Sequence, residues 1–236
     1  MRRALVIVGK APRAGRSKTR LVPPLSADEA AALSGAFLLD TVALAMGLSW
    51  ERVSLIHPAI ADEAQLLQPV VRPGVQLCTQ HGVGLGDALR GAFVDHFAQA
   101  FERVVLIDSD SPTLPSWVLE TACAGLEDHD VTIGPTVDGG YYLLGLRSPQ
   151  DALFASIDWS TAEVLRQTLD RAVGLRVLRL PEWYDVDVPD DLTHLELDLL
   201  DLPDSVAPHT RHALAGFQES FRPTGRTFGV RSARRT

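Results

Sequence analysis

The sequence predicts an α/β fold, a mostly parallel sheet with helices on both faces. Three observations carry this prediction. Short runs rich in Val, Ile and Leu alternate with longer helical patterns along the chain. The runs are continuously apolar rather than alternating, as strands buried on both faces are. At 236 residues and 46% hydrophobic content, the chain suits one well-packed domain better than two.

Taken in order, strands are expected at 4–8 (ALVIV), 52–56 (RVSLI), 75–79 (VQLCT), 103–107 (RVVLI), 130–133 (DVTI), 141–146 (YYLLGL) and 175–180 (LRVLRL). Helices fit 27–47, 86–101, 115–126, 161–173 and 190–200, with a shorter one near 61–68. Two helix starts carry capping boxes, Ser26 with Glu29 and Ser160 with Glu163. At the second, Trp159 before the cap and Val164 in the fourth helical position form the pattern of a hydrophobic staple. The expected domain plan is a single nucleotide-binding domain over 1–202, a helical extension over 203–220, and a basic, disordered tail over 221–236 that catalysis does not need.

Composition excludes several classes. Two arginines precede an apolar stretch in MRRALVIVGK, but Ala4–Val8 is shorter than a signal-peptide core and Lys10 ends it. No apolar run stands out as approaching the ~20 residues of a membrane span. Cys78 and Cys123 form no CxxC pair and read as reduced packing residues, so a cytoplasmic location is expected. A net charge of −8 argues against nucleic acid as a partner. The basic residues are twenty arginines and only two lysines, Lys10 and Lys18, which fall together after the first strand. Ammonium and guanidinium groups are not interchangeable, so this loop is singled out for lysine chemistry.

In open parallel sheets, ligands collect in the loops after the strands' carboxyl ends. The first such loop, GKAPRAGRSKTRLVPPL, brings together Lys10, Arg13, Arg16, Lys18 and Arg20. Free amides and convergent cations suit a polyphosphate, although neither a Walker A nor a GxGxxG spacing is present; alternatively this is an exposed basic loop solvated by water. Arg16 is expected to face solvent. The fourth strand ends in VVLIDSDSPTLP, where Asp108 and Asp110 lie two apart and share one side of extended backbone. Two hard oxygen ligands there could hold Mg²⁺ or Mn²⁺; alternatively one Asp is a turn or cap residue. In QHGVGLGDALRGAF, Gln80, Gly82, Gly84 and Gly86 open a helix whose N-terminus favours an anionic ligand; alternatively the segment is an ordinary β–α turn. Asp138, in VDGG, is either a reacting carboxylate or part of a hairpin turn. In YDVDVPDDL some acids cap the following helix, while Asp187 could add a metal or acceptor contact.

With these motifs in order, residues 4 to about 200 resemble a family of bacterial GT-A-fold transferases. Its members are usually named glycosyltransferases, some of the radical-SAM/selenodomain-associated type. The resemblance rests on GKAPRAGRSKTRL, GVGLGDAL, IDSDSP, GPTVDGGYYLLGL, IDWST and YDVDVPDDL. It implies a Rossmann-like GT-A nucleotide domain and a metal-bound diphosphate. Family members often have Gly-Ser-Asp or Gly-Thr-Asp where this chain has Asp108-Ser109-Asp110, so Asp110 is the safer ligand. The first loop also looks like that of the molybdopterin and phospholactate guanylyltransferases. These resemblances imply a metal-dependent transferase with a nucleotide or nucleotide-sugar donor and a small acceptor. Glycosyl transfer is the first expectation, nucleotidyl transfer with pyrophosphate release the second, and a non-catalytic nucleotide-binding module the third. Lys18 and Asp138 are the expected catalytic residues. Lys10, Arg13, Lys18, Arg20, Gln80, Gly84 and Gly86 are expected on the nucleotide, and Asp110, Asp108 and Asp187 on Mg²⁺ or Mn²⁺.

Overall fold

The computed structural model describes residues 1–217; the basic tail expected over 221–236 lies outside them. The chain runs β1 (Arg3–Val8), α1 (Ala27–Met46), β2 (Arg52–His57), α2 (Glu63–Leu67), β3 (Val75–Thr79), α3 (Leu85–Ala98) and β4 (Arg103–Ile107). It continues through α4 (Ser116–Gly125), β5 (Val131–Pro135), β6 (Tyr141–Leu146), α5 (Val164–Arg171), β7 (Val177–Arg179), α6 (Pro189–Asp201) and α7 (Pro208–Gly216). The seven strands form one sheet in the order β3-β2-β1-β4-β6-β5-β7. β1 pairs in parallel with both β2 and β4, while β6 runs antiparallel between β4 and β5. The sheet is therefore mixed. The five residues between β5 and β6 are too few for a crossover, so these strands must fold back on each other.

The central strands are apolar on both sides because helices cover both faces. Leu5 and Ile7 of β1 face a core with Leu38 and Val42 of α1 and Val118 and Leu119 of α4. Ala4 and Val6 face the opposite core, with Leu89 and Phe93 of α3. A third cluster joins Leu33 and Phe37 of α1 to Leu21, Val186, and Leu192 and Leu195 of α6. α1 thus has one side on the sheet and the other under α6, which explains its apolarity around the whole circumference. By length and composition it could cross a membrane, contrary to the expectation that no such segment exists, yet half of that stretch is buried inside the fold.

The first capping box forms: Ser26 Oγ accepts the Glu29 N–H at 3.2 Å and Glu29 accepts the Ser26 N–H at 2.8 Å. The second does not. Ser160 takes a positive φ of 65° and α5 begins only at Val164, without a side-chain cap. Trp159 is used otherwise: a Cβ on Gly86 would lie 2.3 Å from its indole Nε1. The indole therefore sits on the first turn of α3, where only glycine leaves room. At the chain's far end, buried Asp40 of α1 accepts the His209 N–H (3.0 Å), the Thr210 N–H (2.8 Å) and the Thr210 hydroxyl (2.6 Å). These bonds satisfy the otherwise orphaned first amides of α7 and dock it on α1.

Candidate active site

The parallel strands β1 and β4 are neighbours, so the loops at their carboxyl ends emerge side by side. Lys18 comes from the first loop, Asp110 from the second and Asp187 from the segment before α6. The Lys18 ammonium lies 2.7 Å from Asp110 Oδ1 and 2.7 Å from Asp187 Oδ1. Its side chain is 5% exposed, against 40% and 44% for the two carboxylates. Burial opposes its charge, but Asp110 and Asp187 outweigh that and hold its pKa above the ordinary lysine value. Lys18 has φ 48°, a left-handed conformation uncommon outside glycine. The 3-10 turn at Thr19–Leu21 follows directly and buries Leu21.

Two more carboxylates complete the wall. Asp108 Oδ1 accepts the Asp110 N–H at 3.0 Å. Asp185 accepts the Ser111 hydroxyl at 2.8 Å, and the Val186 N–H donates to the Asp110 carbonyl at 3.0 Å, zipping the two segments together. Desolvation, then Asp185 and Asp110, push Asp108 well above the usual carboxylate range. Desolvation, with Asp110 and Asp138 nearby, pushes Asp185 up to about 6 despite its bond from Ser111. Burial is the larger cause for both, and the crowding of four carboxylates around Lys18 adds to it. The sequence points to no role for Ser111, and it presents Asp185 only among the acids that could cap the following helix. The pairing of DSDS with YDVD was the signal available.

The other expected site residues divide. Lys10 and Arg20 are exposed, as is Arg16. Arg13, expected on phosphate, instead donates to Glu63 at 2.9 Å, so its charge is already matched. Gly84 has φ 90° at the start of α3, with open space where a Cβ would stand. Gly86, expected to let a nucleotide approach, is covered by Trp159. Gln80 lines a cleft of about 230 Å³ between β3 and α3, together with Thr79, His81, Asp95 and His96. Exposed Asp138 accepts the Thr136 hydroxyl (2.5 Å) and the Gly140 N–H (3.0 Å), so it shapes the β5–β6 turn. Asp191 caps α6, accepting the N–H groups of Asp187 and Val188 at 2.9 Å each.

A metal has a chemically suitable place here. The wall offers hard oxygen donors in excess of the cationic charge, which fits a divalent ion. It is not a ready-made ligand cage: among the described residues no group of three or more His, Cys, Asp or Glu is gathered as one. Lys18 stands between Asp110 and Asp187, where the expected set of Asp108, Asp110 and Asp187 would have to converge.

The chain and its fold are similar to known proteins. Residues 41–161 match the family described as uncharacterized protein conserved in bacteria (DUF2064). The chain is 26% identical over 185 residues to phosphoenolpyruvate guanylyltransferase of Sphaerobacter thermophilus, covering 78% of this chain and 88% of that one. It is 32% identical over 189 residues to 2-phospho-L-lactate guanylyltransferase of Methanothermobacter thermautotrophicus, covering 77% and 79%. A candidate nucleotide-diphospho-sugar transferase from Desulfovibrio desulfuricans G20 superposes with a TM-score of 0.87 and 30% identity, over 93% of this chain and 97% of that one. The chain belongs to the DUF2064 family and is an enzyme of the transferase class, related to the phosphoenolpyruvate and phospholactate guanylyltransferases, on the fold of the nucleotide-diphospho-sugar transferases.

Proposed function

We propose that the protein is a nucleotidyltransferase that joins a nucleoside triphosphate, guanosine triphosphate first among the candidates, to a phosphorylated small molecule. The observation that carries this reading is the bridge from the cationic first loop to the strand-end carboxylates through Lys18. Kinship with two guanylyltransferases along about three quarters of the chain supports it over glycosyl transfer, the first expectation from the sequence. An acceptor phosphate oxygen attacks the α-phosphorus, the bond from that phosphorus to the bridging oxygen breaks, and pyrophosphate leaves. Lys10 and Arg20 bring positive charge to the triphosphate, and Gly84 leaves backbone room at the start of α3. Lys18 holds Asp110 and Asp187 in place and keeps its proton throughout. Asp138 shapes the turn against which the acceptor is oriented. Asp108, Asp110 and Asp187, with Asp185 beside them, would hold Mg²⁺ or Mn²⁺, which when bound neutralises phosphate charge.

Residues 1–202 form the catalytic unit in this reading, with 203–220 as an extension and the basic tail dispensable. The free thiols Cys78 and Cys123 and the soluble substrates favour the cytoplasm. On the ordered motifs alone, we place the chain beside the radical-SAM/selenodomain-associated transferases. Glycosyl transfer is the second reading, favoured by likeness to the Desulfovibrio protein. Each nucleoside triphosphate and each nucleotide-sugar is supplied separately with Mn²⁺ and a panel of phosphorylated acceptors. Pyrophosphate from a triphosphate supports nucleotidyl transfer. Nucleoside diphosphate from a nucleotide-sugar, with no pyrophosphate from any triphosphate, overturns it.

A further inference from the structure

The loop after β1 is held from outside by a residue that no motif pointed to. Glu63 opens α2, in the crossover between β2 and β3, and its side chain is 2% exposed. Its Oε1 accepts the Ala11 N–H at 2.5 Å. Its Oε2 accepts from the Arg13 guanidinium at 2.9 Å, and the same nitrogen of Arg13 reaches the Ala61 carbonyl at 3.2 Å. A carboxylate buried this deeply is tolerated because it is both ion-paired and hydrogen-bonded. Arg13 in turn organises the rest of the loop. Its N–H donates to Ser17 Oγ at 3.0 Å, and its carbonyl accepts the N–H groups of Arg16 and Ser17 at 3.0 Å each. Lys18 comes next, in left-handed backbone. Such a conformation persists only where the surroundings over-determine it.

We propose that Glu63 is a positioning residue for the transfer reaction. By gripping Ala11 and Arg13 it fixes the turn 13–17, and through that turn it sets where Lys18 stands between Asp110 and Asp187. Its kinetic consequence rests on the nucleotidyl reading above; its effect on the loop does not. Glu63→Ala leaves the Ala11 amide and the Arg13 charge without their acceptor. Glu63→Gln keeps an oxygen for one of them and most of the shape.

The full-length chain and its Glu63→Ala, Glu63→Gln and Arg13→Ala variants are compared well below their unfolding temperatures. Amide hydrogen exchange is followed over residues 10–18, and pyrophosphate release from guanosine triphosphate is measured with Mn²⁺ and a phosphorylated acceptor. In Glu63→Ala, exchange over 10–18 rises about tenfold or more while β1 and β4 stay protected. Turnover number falls about tenfold or more, and KM for the triphosphate changes less, because misplacement acts on the reacting geometry. Glu63→Gln recovers to within about threefold of the parent, and Arg13→Ala lies between the two. A Glu63→Ala protein that melts earlier but keeps parental loop exchange, kcat and KM makes Glu63 a purely structural residue and overturns the proposal. If Glu63→Ala does not fold, Glu63→Gln and Arg13→Ala carry the test, and parental loop exchange in both overturns it. If the parent releases no pyrophosphate from any triphosphate, the nucleotidyl reading fails separately, and loop exchange alone decides the role of Glu63.

Discussion

Residues 9–20 hold five cations and no acid, whereas 107–115 and 181–188 hold acids and no cation. The two regions face each other across the end of the sheet, and they settle their charge differently. In the loop, Arg13 is matched by buried Glu63, and Lys10, Arg16 and Arg20 stay in solvent, where like charges are screened. In the wall, Asp108, Asp110, Asp185 and Asp187 have Lys18 between them, and two of the four are driven toward the neutral form. The loop is balanced by water and by one partner from outside. The wall keeps a deficit of positive charge, and that deficit is what a divalent cation would relieve.

The largest effect is expected where the two regions touch. Lys18→Ala removes the cation that pairs with Asp110 and Asp187 and strands both carboxylates. Loss of one partner from a buried pair is severe, though exposure of 40% and 44% for the carboxylates limits it to about 2–3 kcal/mol. Urea unfolding should show that loss, and turnover should vanish. An unshifted urea midpoint would mean that the bridge contributes nothing. Next, Asp110→Asn should weaken Mn²⁺-dependent triphosphate binding by roughly 10–100-fold, the range of a perturbed metal site. Asp108→Asn should do less. Calorimetric titration with and without Mn²⁺ decides the matter, and equal affinities for Asp110→Asn and the parent would remove Asp110 from the metal set.

A control away from both regions is Asp40→Ala. It leaves the first amides of α7 without their acceptor and should cost about 1–3 kcal/mol in thermal or urea unfolding. Triphosphate affinity should not change; a parallel drop would tie α7 to the site. The smallest effect is the pH dependence of the wall. Asp185 has its folded pKa raised to about 6, so the folded state binds that proton more tightly than the unfolded chain does. Its contribution to stability is fullest below the ordinary carboxylate value and is lost as pH rises through about 6. In chelator, the unfolding free energy should therefore decline between about pH 4 and 7, and Asp185→Asn should flatten that decline. A variant that declines as steeply as the parent would place the shifted proton elsewhere.

The strands were readable because their physics is local: a run such as ALVIV is apolar throughout when both faces are covered. The hairpin was visible too, as VDGG, but its effect on the sheet, placing β6 antiparallel between β4 and β5, depends on pairing that no local pattern encodes. Two capping boxes with the same spacing had different fates. Ser26 begins a helix that the core needs at that point, while Trp159 is drawn to Gly86 and carries Ser160 out of helical geometry. Local propensity yields to tertiary packing there. The candidate site was legible as residue types at strand ends, which brought out Lys18, Asp108, Asp110 and Asp187. Their pairing was not. Arg13 looked like a phosphate ligand because its partner Glu63 lies 50 residues away in an ordinary short helix. Asp185 looked like a cap because only the fold reveals Ser111 beside it.

In the proposed reaction the bond broken lies between the α-phosphorus and the bridging oxygen of a triphosphate. This cleavage is tested most directly with guanosine triphosphate labelled either at the α- or at the γ-phosphate, incubated with the protein, Mn²⁺, and phosphoenolpyruvate or 2-phospho-L-lactate. With nucleotidyl transfer, α-label enters a nucleotidyl-acceptor product while γ-label leaves as pyrophosphate, and Lys18→Ala abolishes both. Retention of both labels in the triphosphate, while a nucleotide-sugar in a parallel reaction releases its nucleoside diphosphate, would contradict it.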